Sequence, residues 1–495
     1  MGNTGRSPLY HIMNPESVAI FGASNSMLTM GTSLLINMME LGYKGEIFPI
    51  HRELEEVQGL KAYRSLDEIA RVPDTALIVV PARVVPKVLM DCGKKGIPSA
   101  IIVSGGFREL GQEGMALEKE ISEIAKKYGI RFIGPNCIGV VHPYHRWNTT
   151  IFHYTASMDG FIGMVSQSGS FITQMFYHLK KFGLGFSQGL SIGNQADLDM
   201  ADCVEYLGEC KRTKVIGLYI EGLTRPDKLM RVAREVSRKK PIIAVYVGGT
   251  ESGSRAGRSH TGALSASDAI YDGAFRQCGI VRASSIEELF DFCWALGTQP
   301  LMTGNRTVVL THSGGPGAAA ADAAERSGLH LPPLSEKTRA KLREAVPQTG
   351  SLNNPIDLTF TRNFEDLYQE IPRILFEDPD FDGVLMYFLM SMENLGRLVG
   401  KADSPFFQTM EAFREYMLGL CRRFVDLVRS RNKPLIGSSF LMRDEPFIRE
   451  LEDLGIPIIP SPERSARAMG ALYRYSRMRE ALEQEASERR GTARA

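Results

Sequence analysis

Short apolar runs alternating with amphipathic stretches predict an α/β protein of three consecutive units built on parallel sheets. The rhythm begins at Ser17, restarts near Gly163 and starts a third time at Arg306. The two later starts also form a quasi-repeat. Met164-Val165-Ser166-Gln167-Ser168-Gly169-Ser170 and Val309-Leu310-Thr311-His312-Ser313-Gly314-Gly315-Pro316-Gly317 both read as strand, Ser-Gly turn, helix.

In the first unit the predicted strands are Ser17–Phe21, Glu46–Ile50, Ala76–Val80, Ala100–Val103 and Arg131–Ile133, with helices between them, a nucleotide-type open sheet. A polar connector rich in aromatics, Tyr144 to Tyr154, precedes the strands Gly163–Val165, Gln188–Ile192, Val215–Ile220 and Ile242–Val247. Pro/Gly punctuation around Gly297–Gly304 marks the next boundary, beyond which Arg306–Leu310, Gly383–Phe388, Leu435–Gly437 and Ile456–Ile459 supply a third set. The expected domains are 10–145, 146–302 and 303–476, followed by a charged tail, 477–495, that starts as a solvated helix and frays.

A length of 495 residues fits about three domains of ~150 residues each. Lys plus Arg number 58 and Asp plus Glu 57, so no global field draws the chain to nucleic acid or an anionic membrane. Seven scattered cysteines without a C-x-x-C pair argue against a disulfide framework and a zinc knuckle, and fit a reducing cytoplasm. No apolar run approaches the ~18 residues of a membrane span, and the amino terminus lacks the apolar core of a signal peptide. Met1-Gly2 opens like a myristoylation start, but Arg6 stands where that motif needs Ser or Thr.

Candidate chemistry centres on Arg258-Ser259-His260-Thr261-Gly262, a Gly/Ser-rich loop that carries one histidine between an apolar strand and a helix. A neutral imidazole can attack phosphorus through one nitrogen while the other donates a hydrogen bond to a carboxylate that stabilises the imidazolium. Glu221, ending the apolar strand Val215–Ile220, is the candidate carboxylate. The strand-to-helix turns at Ser168-Gly169 and at Gly315-Pro316-Gly317 would expose unpaired N–H groups and the positive end of a helix dipole, which bind an anion. In the first unit the strands end in Gly22-Ala23-Ser24, Val80-Pro81-Ala82, Ser104-Gly105-Gly106 and Gly134-Pro135-Asn136, candidates to line the crevice at their carboxyl ends. The first of these turns is not G-x-G-x-x-G, and the second strand closes with His51-Arg52, where an acid would take the ribose of NAD. A nicotinamide-dependent dehydrogenase is therefore disfavoured, and the first sheet fits a different phosphorylated ligand.

Val80-Pro81-Ala82, Gly134-Pro135-Asn136-Cys137-Ile138-Gly139, Ser166-Gln167-Ser168-Gly169 and Ser259-His260-Thr261-Gly262, in this order and approximate spacing, resemble the NDP-forming acyl-CoA synthetases, relatives of succinyl-CoA synthetase. The resemblance runs from about Asn14 to Tyr475 and is, more narrowly, to the alpha subunits of the ADP-forming acetate–CoA ligase type. It implies a Rossmann-like CoA-binding domain followed by two flavodoxin-like domains. It also implies that His260 is transiently phosphorylated, that Glu221 hydrogen-bonds its ring, and that Ser168, Gly169, Gly315, Pro316 and Gly317 hold the phosphate. Gly22, Ala23, Ser24, Val80, Pro81, Ala82 and Asn136 would line the CoA site, with no metal bound by this chain. The implied reaction is carboxylate + CoA + ATP ⇌ acyl-CoA + ADP + phosphate, on acetate or another small acid.

Two positions depart from the family pattern. His312 stands where Asn is common, which brings a second imidazole near the phosphate turn as a local hydrogen-bonding group or rival phospho-acceptor. Gln195 stands where Lys is frequent. Nothing in the chain resembles an ATP-grasp domain or a G-x-x-x-x-G-K-[ST] loop, so the resemblance implies that a partner beta subunit supplies ATP/ADP and magnesium in a hetero-oligomer. The competing reading is a CoA-binding or acyl-CoA-sensing protein without turnover; a sensor would need neither His260 nor Glu221.

Overall fold

The computed structural model describes residues 7–154, 159–253, 255, 267–359, 363–389, 391–397, 399 and 408–492, without the side chains of 393, 394 and 490–492. The chain forms two compact units, Met1–Lys180 with Leu184–Ser284, and Ser285–Ala495 with Lys181–Gly183.

Unit one holds two sheets. The first comprises Ser17–Phe21 (β1), Glu46–Ile50 (β2), Thr75–Ile78 (β5), Ser99–Ile102 (β6) and Arg131–Ile133 (β7), with the small hairpin Glu56–Val57 (β3) and Leu60–Lys61 (β4) set apart. All five strands are parallel and run β2-β1-β5-β6-β7. β1, β5 and β6 are buried along their whole length, as strands covered by helices on both faces must be. The helices Met30–Leu41, Val85–Lys95 and Gln112–Tyr128 each stop at a left-handed glycine, Gly42, Gly96 and Gly129, whose backbone N–H closes the last turn.

The second sheet contains Val140–His142 (β8), Trp147–Asn148 (β9), Asp159–Ser166 (β10), Phe186–Ser191 (β11), Val215–Ile220 (β12), Ile242–Tyr246 (β13) and Ile280–Ala283 (β14), in the order β14-β13-β12-β10-β11-β8-β9. β8 and β9 are antiparallel additions at one edge; the other five are parallel. These edge strands straddle residue 145, so the aromatic connector is part of the second sheet. One apolar core spans both sheets, from Val18, Leu34 and Ile101 to Val165, Leu190 and Ile216. The sheets are also tied through the backbone. Asn194, Ala196 and Leu198 donate to the carbonyls of Pro135, Gly134 and Phe132 at 2.9, 3.1 and 3.2 Å.

Unit two carries the third sheet, Thr307–Thr311 (β15), Ser351–Leu352 (β16), Ile356–Asp357 (β17), Gly383–Tyr387 (β18), Leu435–Ser438 (β19) and Ile458–Ile459 (β20), in the order β16-β17-β15-β18-β19-β20. Asp382 fixes the first turn of this unit by accepting from the Arg306 backbone and both arms of its guanidinium at 2.9 Å. The helix Ile286–Thr298 belongs to this unit, where buried Asp291 accepts two hydrogen bonds from Arg464 on the helix Pro462–Thr492. That last helix is continuous into the charged segment, and Tyr475 and Leu482 on it are buried.

Taken in chain order, the parallel strands of each sheet are arranged 2-1-3-4-5, with short antiparallel strands only at the edges of the second and third. In such a sheet the connections diverge between the first and third strands, and a crevice opens outside their carboxyl ends. The three crevices therefore lie beyond β1 and β5, beyond β10 and β12, and beyond β15 and β18. Among the described residues, no helix is long and apolar enough to cross a membrane.

Candidate active site

The first crevice is bounded by the turns after β1 and β5. Gly22 has φ +96°, and an added Cβ would overlap the carbonyl of Val79, so the two turns approach as closely as backbones can. Ala23 is buried, and Ser24 exchanges two hydrogen bonds with Thr32, its N–H donating to Oγ1 at 3.0 Å and its carbonyl accepting from Oγ1 at 2.9 Å. Val80 is held by Ser104, whose Oγ accepts from the Val80 N–H at 3.2 Å and donates to its carbonyl at 2.5 Å. Pro81 and Ala82 lead into a short 3-10 turn before the helix Val85–Lys95. Asn136, left-handed at φ +58°, donates its backbone N–H to the Ser104 carbonyl at 2.9 Å. Ser104 thus connects the turns after β5, β6 and β7.

Below these turns lies a polar network that sequence reading did not find. Asn194 is fully buried and donates Nδ2 to Glu109 at 2.7 Å and to Glu118 at 2.8 Å, while its Oδ1 accepts from Asn136 at 3.4 Å. Glu109 also accepts from the N–H groups of Gly106 and Phe107 at 2.6 and 3.1 Å. Burial alone would raise its pKa, but these donors hold it below the usual value. Glu118 has Arg108 at 3.5 Å, yet burial leaves its pKa raised. No spacing in the sequence links positions 109, 118 and 194; only the packing of the first sheet on the second brings them together.

The second crevice contains the predicted phosphate turn and carboxylate of unit one. β10 ends at Ser166, whose hydroxyl donates to the Ser168 carbonyl at 2.7 Å, and the helix begins at Gly169. Its first N–H groups have no partners inside the helix and carry the positive end of its dipole. Glu221 follows β12 and is 6 % exposed. The bridge between turn and carboxylate is Gln167, whose Oε1 accepts from the N–H groups of Glu221 at 2.7 Å and Gly222 at 3.1 Å. Burial, and then the Glu221 charge, raise the pKa of Tyr219, which stacks on Phe171 of the helix with centroids 4.3 Å apart. His260 lies outside the described residues.

Gln195, the substituted position, is left-handed at φ +56° and 3 % exposed. Its Oε1 accepts from Met200 N–H at 3.2 Å, and its Nε2 has no protein partner. The side chain thus helps to start the helix Met200–Glu209, which an Asp199/Asp202 capping box also secures.

In unit two, β15 reaches the same kind of turn. The Thr311 hydroxyl donates to the Ser313 carbonyl at 2.9 Å, and Gly314 to Gly317 form the first turn of the helix Gly314–Arg326. Gly315 is exposed; Gly317 packs against Thr311. His312 is pushed down to about 4 by burial, against the opposing charge of Asp357, and its Nδ1 makes no hydrogen bond. The side chain does not act as the local hydrogen-bonding group through that nitrogen.

Comparison with known proteins matches residues 16–143 to a CoA binding domain and residues 159–296 to a succinyl-CoA ligase-like flavodoxin domain. The alpha subunit of ADP-forming acetate–CoA ligase II from Pyrococcus furiosus is 37 % identical over 470 residues, 95 % of this chain and 98 % of that one. ADP-forming acetate–CoA ligase I from Archaeoglobus fulgidus is 36 % identical over 464 residues, 94 % of this chain but 63 % of that longer protein. Among solved structures, the dinucleotide-forming acetyl-coenzyme A synthetase 1 of Ca. Korarchaeum cryptofilum, in complex with phosphate and ADP, matches with TM-score 0.84 and 31 % identity, covering 96 % of this chain and 98 % of that one.

Proposed function

Because the chain belongs to the family of the alpha subunits of ADP-forming acetate–CoA ligases, which are acid–thiol ligases, we propose that it joins acetate or another small carboxylic acid to CoA through an acyl phosphate and a phosphohistidine. A carboxylate and a thiol do not condense unaided near neutral pH, so the acid is first activated as a mixed anhydride with phosphate. Written toward ATP, a phosphate oxygen attacks the thioester carbonyl, the carbon–sulfur bond breaks, and CoA leaves as the thiol after taking up a proton. One imidazole nitrogen of His260 then attacks the phosphorus of the acyl phosphate and the carboxylate departs. The other nitrogen keeps its proton, hydrogen-bonded to Glu221, whose charge stabilises the cationic phosphohistidine. A terminal oxygen of ADP finally takes the phosphoryl group and frees the ring.

In this reading Gly22-Ala23-Ser24, Val80-Pro81-Ala82 and Asn136 hold CoA at the first crevice. The helix starts at Ser168-Gly169 and Gly315-Pro316-Gly317 stabilise the phosphoryl oxygens. ADP, ATP and magnesium bind a beta subunit of ATP-grasp type in a cytoplasmic hetero-oligomer, and the His260 loop moves between the two sites. The observation that carries the reading is the bridge made by Gln167, which ties the turn before a helix start to the backbone of buried Glu221 across one crevice mouth.

Incubation with acetyl-CoA and labelled inorganic phosphate, in the presence of the beta subunit, should leave acid-labile, base-stable label that is lost in His260→Ala. Glu221→Gln should lower the label at least about tenfold while CoA binding stays within about twofold, since only the charge facing the ring changes. An undiminished yield in Glu221→Gln would remove that residue from the mechanism, and absence of label in the wild type would remove the phosphohistidine.

A further inference from the structure

Gln167 has a polar group that the proposed chemistry leaves unused. The residue is 2 % exposed, and its Oε1 accepts two backbone N–H groups, from Glu221 and Gly222. Two donors converging on one atom fix that end of the carboxamide as the oxygen, because an NH2 group there would meet them donor to donor. Nε2 hangs from the same carbon. It is therefore a donor held beside the end of β12, buried and without a protein partner.

A buried donor left unpaired is uncommon in a native protein and calls for an explanation. Its surroundings supply one. The amide spans the crevice between the first and third strands of its sheet, where ligands of such folds bind. It sits two residues before the start of a helix whose free N–H groups favour an anion. The turn is braced by the Ser166 hydroxyl on the Ser168 carbonyl, so the donor keeps its direction. The third sheet repeats the arrangement. Thr311 braces Ser313 in the same way, and the residue in the place of Gln167 is His312, which also carries a buried, unpartnered nitrogen.

We propose that Gln167 Nε2 donates a hydrogen bond to an oxygen of the phosphoryl group while that group passes between the acyl phosphate and His260. The proposal rests on the phosphohistidine reading above and adds a phosphate-binding residue to it. One carboxamide then serves both sides of the transfer. Its oxygen sets the backbone that carries Glu221, and its nitrogen meets the phosphoryl oxygen without the charge repulsion that an acid would bring.

Gln167→Glu separates these two roles, because the carboxylate still accepts from Glu221 and Gly222 but presents an anionic oxygen in place of the donor. The assay is the assembled enzyme run on acetyl-CoA, ADP and inorganic phosphate. Gln167→Glu should raise KM for phosphate by about ten- to a hundredfold at pH 8, the scale of one hydrogen bond to a charged group, with KM for acetyl-CoA within about twofold. The defect should shrink as pH falls and the new carboxyl gains a proton. Gln167→Leu should raise KM for phosphate without that relief, and decides the matter alone if Gln167→Glu does not fold. An unchanged KM for phosphate overturns the proposal, as do equal increases for phosphate and acetyl-CoA with a lowered melting temperature and no pH relief, which would leave Gln167 as a brace only. If wild type shows no phosphate-dependent turnover, the phosphohistidine reading fails and takes this one with it; active wild type beside an indifferent Gln167→Glu retires Gln167 alone.

Discussion

At the scale of single residues, close backbone approach decides which positions are irreplaceable. Gly22 combines φ +96° with a Cβ position already occupied by the Val79 carbonyl, so Gly22→Ala must both strain the chain and push the turns after β1 and β5 apart. Gly129 has φ +72° and nothing within 4 Å of its Cβ position, so Gly129→Ala carries the left-handed strain alone, about 1–2 kcal/mol. Titration with CoA and thermal melts should show Gly129→Ala binding as wild type. Gly22→Ala should lose at least about 3 kcal/mol of stability and about tenfold in CoA affinity; intact CoA affinity there would move the CoA site away from this turn. The glycine turns were legible in the sequence because small residues after an apolar strand have few alternative uses. Gln167 was not, although it stood inside a quoted motif: a glutamine reads as polar surface until the partners of its oxygen are known. Asn194, Glu109 and Glu118 gave no signal for the same reason, their meaning being wholly in each other.

Central strands with unbroken apolar runs were read within a few positions of where they stand, since burial on both faces enforces such runs. The edge strands β8 and β9 went unread because two or three residues carry no period, and β9 lies in the aromatic stretch expected as a connector. Yet β8 carries a titration. His142 is 8 % exposed, with Nδ1 at 3.0 Å from the Met13 carbonyl, which it meets as a donor when neutral, and Nε2 at 3.5 Å from Gln188. Burial first, with the neighbouring charges of His145 and Arg212 acting against protonation, pushes its pKa down from 6.5 to about 4. Between those values the unfolded chain takes up a proton that the folded chain refuses. Folding therefore loses up to about 1.4 kcal/mol per pH unit as pH falls through the window, and nothing further below it. His142→Gln should remove this dependence. Its apparent melting temperature, compared with wild type at pH 7.5 and pH 5, should fall less, with the contribution of His312 common to both and cancelling. A parallel fall in the two proteins would show that His142 protonates freely in the fold.

Across the whole molecule one strand order is used three times, which gives three crevices with three different linings. The first has glycine and Val-Pro turns in close approach, the second a helix start tied through Gln167 to the backbone of buried Glu221, the third a helix start preceded by half-buried His312, whose pKa burial pushes down. In the proposed reaction these serve CoA, the phosphohistidine and phosphate. The same proposal puts the nucleotide and its metal on the partner subunit. The chain should therefore bind CoA alone but make no ATP from acetyl-CoA, ADP and phosphate until an ATP-grasp subunit is added, when turnover should appear at a rate that saturates with that subunit. The His260→Ala chain should bind the same subunit and stay silent, which separates failure to assemble from failure to relay. ATP formed by the chain alone would place a nucleotide site on one of the three crevices and overturn the division of labour argued for them.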